Sequence, residues 1–191
     1  MENNEGLRNP GIKNYNKKNC IVSISLLEEN DFDDMFYYLY YLKYEKNILG
    51  IEINISCPNY HILNVTKENI QDLRRKIGPV ILKLPHDVSE FDLDNYCQLN
   101  SDYIHISNTK KTDRGALSGI SLQEKNIQSI KYIKSIFPNK KIIAGGGIYS
   151  IEDILKYKEA GAQSFSLGTA LINPFNTIKI INQWSQYQRL I

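Results

Sequence analysis

Six short apolar segments, each followed by a stretch that reads as a helix, constrain this chain more than any other feature. The segments cover 20–26, 50–56, 80–84, 102–107, 141–144 and 164–167. Helices are expected over about 31–46, 66–76, 89–99, 122–136, 150–160 and 173–186. Their limits carry chemical punctuation. Thr66 and Ser89 are N-cap residues, Ser150 stands three before Asp153, Gly78-Pro79 breaks a helix, and Gly161 follows one. In the first helix Phe36, Tyr40 and Tyr44 recur every four residues and read as one face; in the second, Ile70, Leu73 and Ile77 form the buried stripe. Strand–helix alternation with short connections argues a parallel sheet wound right-handed. Residues 1–19 carry no clear element, and 108–119 reads as a glycine-bearing loop.

The segment from Gly50 to Asn59 carries the densest chemistry. Ile51, Ile53 and Ile55 alternate with Glu52 and Asn54, the period of a strand with unlike faces. Pro58 stops that strand, because proline has no N–H for a ladder and disfavours helix in the residue before it. The strand's carboxyl end therefore delivers Cys57 together with Asn54, Ser56 and Asn59. Chemically suggestive residues also follow nearly every other strand: Lys83, Asn108, Gly146-Gly147 and Gly168-Thr169. A (β/α)8 barrel gathers all of its strand ends at one mouth, whereas an open sheet gathers only those beside its switch point. Glycines closing the last two strands before a helix match the usual barrel phosphate site. A barrel is thus the expected architecture.

Composition excludes several classes. Hydrophobic content of 42% and charged content of 23% are ordinary for a globular protein, and the net charge of +2 gives no electrostatic case for nucleic acid. No apolar run approaches the ~20 residues of a membrane span. The polar, acidic start is neither a signal nor a transit peptide. Three cysteines without paired spacing point to reduced thiols in a cytoplasmic compartment, and no spacing suits zinc, so no metal site is expected.

The order of motifs resembles the dihydroorotate dehydrogenases. The stretch Asn3-Asn-Glu-Gly-Leu-Arg-Asn-Pro-Gly11 is similar to one family segment, and Asn54-Ile-Ser-Cys-Pro-Asn59 to its most specific signature. Lys83-Leu-Pro85, Ser107-Asn-Thr109, Gly115-Ala-Leu-Ser-Gly119, Gly145-Gly-Gly-Ile148 and Gly168-Thr-Ala-Leu171 follow in the family's order. Cysteine in the signature resembles the soluble branch, and Asn173-Pro-Phe175 resembles the branch that pairs with an electron-transfer subunit.

The resemblance implies an FMN enzyme of pyrimidine (UMP) biosynthesis that oxidises dihydroorotate to orotate. Cys57 would be the base that takes the C5 proton. Asn3, Asn54, Asn59 and Asn108, with Thr109 beside them, would hold the substrate. Lys83 would stand at the flavin N1–O2 edge, and Gly119, Gly146, Gly147, Gly168 and Thr169 would line its phosphate and ribityl end. Cys20, Cys97, His61, His86 and His105 match no family motif and read as structural or exposed.

A full barrel takes ~250 residues, and this chain has 191. It is therefore expected to be one partial barrel domain over 1–191, with about six βα units and the first two strands missing. Such an arc would expose two sheet edges and an apolar inner face, so a homo-oligomer or a completing N-terminal fragment is expected. Two other readings remain: an inactive barrel remnant kept for binding, and a related FMN barrel acting on dihydrouracil or dihydrouridine.

Overall fold

The computed structural model describes residues 2–3, 12–25, 31–55, 65–107, 109–113 and 115–190. The chain begins with a short strand β1 (Glu2–Asn3), a 3-10 turn at Ile12–Asn14, and β2 (Ile21–Ile24). Helix α1 (Asp31–Lys46), β3 (Gly50–Asn54), α2 (Lys67–Lys76), β4 (Val80–Lys83), α3 (Glu90–Gln98) and β5 (Tyr103–Ile106) follow. A hairpin of β6 (Lys110–Thr112) and β7 (Gly115–Leu117) precedes α4 (Gln123–Ile136), β8 (Lys141–Gly145), α5 (Ile151–Ala160), β9 (Ser164–Ser166) and α6 (Pro174–Gln188). All six expected strand–helix units are present.

The caps explain where these helices begin and end. Thr66 and Ser150 each close a capping box, with Asn69 and Asp153 respectively, and Ser89 and Asn173 accept from the third residue of their helices. Gly161 ends α5 at φ +113°, a conformation open to glycine at little cost.

Strands β2-β3-β4-β5-β8-β9 form one parallel sheet in that order, an open, curled arc equivalent to part of a (β/α)8 barrel. Its outer face is the core. Ile51, Ile53, Val80, Leu82, Ile104, Ile142 and Ala144 are fully buried there, together with Leu39, Ile70, Leu73, Leu93, Ile130 and Ile133 from the helices. Each of these valine, leucine and isoleucine side chains contributes about 1.5–3 kcal/mol on leaving water. The face of α1 that packs inward is Met35, Leu39 and Leu42. Phe36, Tyr40 and Tyr44 do share one face, as their spacing implies, but it is a different one: Tyr40 and Tyr44 stand exposed, and the three line a surface cavity of about 700 Å³ with Lys76. Both sets satisfy helical spacing, and burial against the sheet selects the aliphatic one.

Two further expectations are corrected. Residues 1–19 and 108–119 contain strands after all: β1 pairs antiparallel with β7, and β7 with β6. A two-residue strand whose partner lies more than a hundred positions away leaves no periodicity to read. The inner face of the arc is also not simply apolar. Ser23, Glu52, His105 and Ser166 meet on it in one hydrogen-bonded line.

Candidate active site

The line on the inner face follows from strand geometry. Glu52, His105 and Ser166 lie on β3, β5 and β9, alternate strands of the sheet order, and alternate strands build each layer inside a barrel. Ser23 donates to Glu52 Oε1 at 2.7 Å, and His105 Nδ1–H donates to Glu52 Oε2 at 2.5 Å. His105 Nε2 lies 2.7 Å from Ser107 Oγ and 2.8 Å from Ser166 Oγ. Burial pushes the Glu52 carboxyl up, but the His105 hydrogen bond and charge, the Ser23 hydroxyl and the nearby Lys83 together hold it below the usual range. Gly145 makes this contact possible. A Cβ there would collide with Ser166 Oγ and stand 2.7 Å from Ser107 Cβ, so only glycine lets both serines reach His105 Nε2 over β8.

Above this layer lies the mouth of the arc. Asn54 ends β3 and pairs in register with Lys83, which ends β4 and pairs in turn with His105. Asn54 and Lys83 carry an amide and an ammonium side by side at this rim, next to the His105 imidazole of the layer below. Thr109 opens the loop after β5, and the β6–β7 hairpin of that loop holds Asn3 by the pairing of Asn3 with Ala116. The first residues of the chain are thereby tied to the mouth. Cys57, Asn59 and Asn108, together with Ser56 and His61, lie outside the described residues, as does the side chain of Asn3.

The expected glycines do come together. Gly146 and Gly147 adopt φ +83° and +74°. A Cβ on Gly147 would stand 2.7 Å from Ile120 Cα and 2.8 Å from Gly119 O, so the turn after β8 abuts the loop before α4. Tyr149 links both to the last strand: its hydroxyl lies 3.3 Å from where a Cβ on Gly119 would stand and donates to Thr169 Oγ1 at 2.8 Å. Gly168 borders open space, with nothing within 4 Å of an added Cβ.

Beneath this three-loop cradle every carbonyl of the triglycine turn is held from below. Asn126 and Tyr157 donate to Gly145 O at 2.9 Å, Tyr157 also to Gly146 O at 2.7 Å, and Gln123 to Gly147 O at 2.5 Å. With the carbonyls engaged, the backbone N–H groups are what the turn has to offer an anion, and the 3-10 turn Thr169–Ile172 opens beside them. The cradle can hold a phosphate group.

Sequence reasoning missed Asn126, Gln123, Tyr149 and Tyr157, which carried no signal because each acts on a glycine far along the chain. It also missed the Glu52–His105 pair. The alternation of Ile51, Ile53 and Ile55 with Glu52 and Asn54 placed Glu52 on a strand face, but nothing in the pattern set His105, read as structural or exposed, against it. His86, read as structural or exposed, is buried with Nδ1 3.1 Å from Asn126 Oδ1. Cys97 is buried, and Cys20 lies 2.6 Å from the Tyr15 hydroxyl. Among the described residues no group of three metal-ligating side chains occurs, and no helix is long and apolar enough to cross a membrane.

Comparison with known proteins agrees with this geometry. The family model described as dihydroorotate dehydrogenase matches residues 2–187. The chain is 30% identical to the catalytic subunit of the NAD(+)-type dihydroorotate dehydrogenase B of Malacoplasma penetrans, over 96% of this chain and 70% of that protein. It is 26% identical to the corresponding subunit of Thermodesulfovibrio yellowstonii, covering 98% and 72%, and 24% identical to that of Thermotoga maritima, covering 95% and 76%. The match extends over nearly the whole chain and takes in every strand of the arc and every loop of the cradle: this chain belongs to the dihydroorotate dehydrogenase family.

Proposed function

We propose that this chain is the catalytic portion of an FMN-dependent oxidoreductase that converts dihydroorotate to orotate in pyrimidine synthesis. The observation that carries the proposal is the three-loop glycine cradle, its carbonyls tied down by Asn126, Tyr157 and Gln123. It suits the phosphate of FMN, with Gly119, Gly146, Gly147, Gly168 and Thr169 as its lining. Bound there, FMN would supply the acceptor for the hydride lost from C6. Lys83 would offer a fixed positive charge to the N1–O2 edge of the ring. Asn3, Asn54, Asn59, Asn108 and Thr109 would hold the pyrimidine, since a ring of alternating N–H and C=O groups needs partners that both donate and accept. Cys57 would take the C5 proton. The relatives are catalytic subunits by name, which supports an electron-transfer subunit as partner. The free thiols of Cys20 and Cys97 support a reducing, cytoplasmic setting.

The test is a flavin titration followed by single-turnover bleaching. The protein is expected to quench FMN fluorescence on binding, and Lys83→Ala to weaken that binding. Dihydroorotate is expected to bleach the bound flavin at a rate that rises with pH as the base deprotonates. Cys57→Ser should slow the bleaching by about 10²–10⁴-fold with little effect on FMN affinity. Equal rates in the two proteins would remove Cys57 from the mechanism. Bound flavin that dihydroorotate never bleaches would favour the dihydrouracil or dihydrouridine reading. A folded protein with no affinity for FMN would favour the inactive remnant.

A further inference from the structure

A cleft of about 530 Å³ lies at the end of the sheet opposite the mouth, where β5 and β8 begin and α2, α3 and α4 end. That volume falls within the ~300–1,000 Å³ range of small-molecule sites. Arg74, Lys140 and Lys141 line it together with the Asp102 carboxylate, so its charged groups sum to +2. Ile136, Phe137 and Pro138 give it an apolar wall.

Cations gather at helix C-termini for a structural reason, since the last carbonyls there lack partners. At this end of the arc that role is already filled. Arg74 Nη2 donates to Asn100 O just past α3, and Lys134 Nζ donates to Pro138 O at 3.0 Å and Lys140 O at 2.6 Å just past α4. Asp102 is engaged too: its Oδ2 accepts from Arg74 Nε at 3.0 Å and from Val80 N at 2.8 Å. Lys140 and Lys141 are left over. Lys140 Nζ makes one long bond, 3.3 Å to Ser101 O, and Lys141 Nζ lies 5.4 Å from the centroid of the Tyr103 ring. Among the described residues neither forms an ion pair. Burial pulls the Lys140 ammonium below its usual range although Cys97 and Asp102 oppose the shift. A second observation points the same way. Ser101, only 4% exposed, lines the cleft, and its Oγ has no hydrogen-bond partner. A buried hydroxyl left unpaired is costly, and an acceptor held in the cleft would satisfy it.

We propose that this cleft binds an organic phosphate monoester. Its phosphoryl group sits among the Lys140 and Lys141 ammoniums and Nη1 of Arg74, which is unpaired among the described residues, and accepts from Ser101 Oγ. Its organic body lies on Ile136, Phe137 and Pro138. A phosphate dianion matches the +2 of the lining, whereas a monocarboxylate leaves half of that charge unanswered. The lengths of β5 and β8 separate the cleft from the glycine cradle, so this is a second phosphate site and not the one that suits FMN.

The test titrates the isotope-labelled full chain with phenyl phosphate while its backbone amide resonances are followed. The amides of Ser101, Asp102, Lys140 and Lys141 should shift together, with a Kd of roughly 0.1–1 mM. Lys140→Met with Lys141→Met should weaken this binding about ten-fold or more, and benzoate should bind the wild type about ten-fold more weakly than phenyl phosphate. Ser101→Ala separates binding from structure. It removes an unpartnered hydroxyl, so the free variant should melt no lower than wild type, yet its affinity should fall about three-fold or more. Shifts at Gly146 and Gly147 report phosphate in the cradle, so each site is scored apart from the other. The dispersion of the amide spectrum confirms that each variant folds. A folded chain whose Ser101, Lys140 and Lys141 amides stay still up to about 10 mM phenyl phosphate would overturn the proposal. So would shifts that the lysine variant leaves unchanged, or equal affinity for benzoate. Inorganic phosphate that binds as tightly as phenyl phosphate would overturn the part given to the apolar wall.

Discussion

At Glu52, burial and hydrogen bonding pull the carboxyl in opposite directions, and hydrogen bonding prevails. A carboxyl held below its ordinary value contributes stability that is present above that value and lost as pH falls through the depressed one. Glu52→Gln keeps the shape but removes the charge facing His105, so it should cost about 1–3 kcal/mol at pH 7. The cost should shrink as pH falls below about 4.5 and Glu52 becomes protonated in the unfolded and then the folded wild type; urea melts at neutral and acidic pH check this. Tyr157 is the second decisive residue. Burial pushes its hydroxyl up to about 12, so it remains a donor to Gly145 O and Gly146 O at any working pH. Tyr157→Phe should lose about 1–3 kcal/mol by leaving buried carbonyls without that donor, and it should loosen FMN binding in the titration. Cys97, raised to about 11 by burial, should stay unalkylated by iodoacetamide at pH 8 while the protein is folded, as mass spectrometry of the labelled protein would show.

Among the elements, α5 is held most firmly at its start. Asp153 accepts from the backbone of Tyr149 and Ser150 at 3.0 and 3.2 Å, and Ser150 accepts in return from Asp153 N at 3.4 Å. Burial raises the Asp153 carboxyl, yet the Tyr149 N–H, the Gln123 side chain and Lys156 bring it below the usual range. The cap therefore works while Asp153 is ionised and fades in acid. Ser150→Ala should cost about 1 kcal/mol in a chemical melt. The consequence reaches the site, because the same turn carries Tyr149 and, through its hydroxyl, Thr169. At the far end, Gly161→Ala should cost more than an exposed helix substitution, since φ is +113° and the new Cβ would lie 2.7 Å from Lys134 Cγ. Helix α6 differs in kind: its cap is sound, but its exposed flank has no partner among the described residues.

For the whole molecule, the unequal covering of the sheet sets the order of stability. Strands β3, β4, β5 and β8 have a ladder on both sides and the apolar core behind them, whereas β2 and β9 have one neighbour each. Hydrogen exchange on the chain alone should be slowest at Ile51–Ile53, Leu82 and Ile104, and fastest within the sheet at its two margins. The polar inner layer tempers the exposure of the open side. Water reaching Ser23 and Ser166 meets groups that already hydrogen-bond, whereas an apolar lining of the same area would favour aggregation.

What the sequence determined by itself was everything governed by local pattern. The alternation of Ile51 and Ile53 with Glu52 and Asn54, the caps at Thr66, Ser89 and Ser150, and the breaks at Gly78-Pro79 and Gly161 all act within a few residues. The order of the motifs likewise led to the family and to the glycines of the cradle. Tertiary structure decided the rest, because those choices depend on which distant surfaces meet. Spacing in α1 allowed either Phe36, Tyr40 and Tyr44 or Met35, Leu39 and Leu42 to face inward, and only the sheet beneath chose the aliphatic set. The β1–β7 pair joins two segments that show no pattern when apart. Glu52 and His105 touch only because the sheet curls across β4. Gly145 is required only because Ser107 and Ser166 crowd its α-carbon as both reach His105, a demand that distance in space imposes and no local periodicity records.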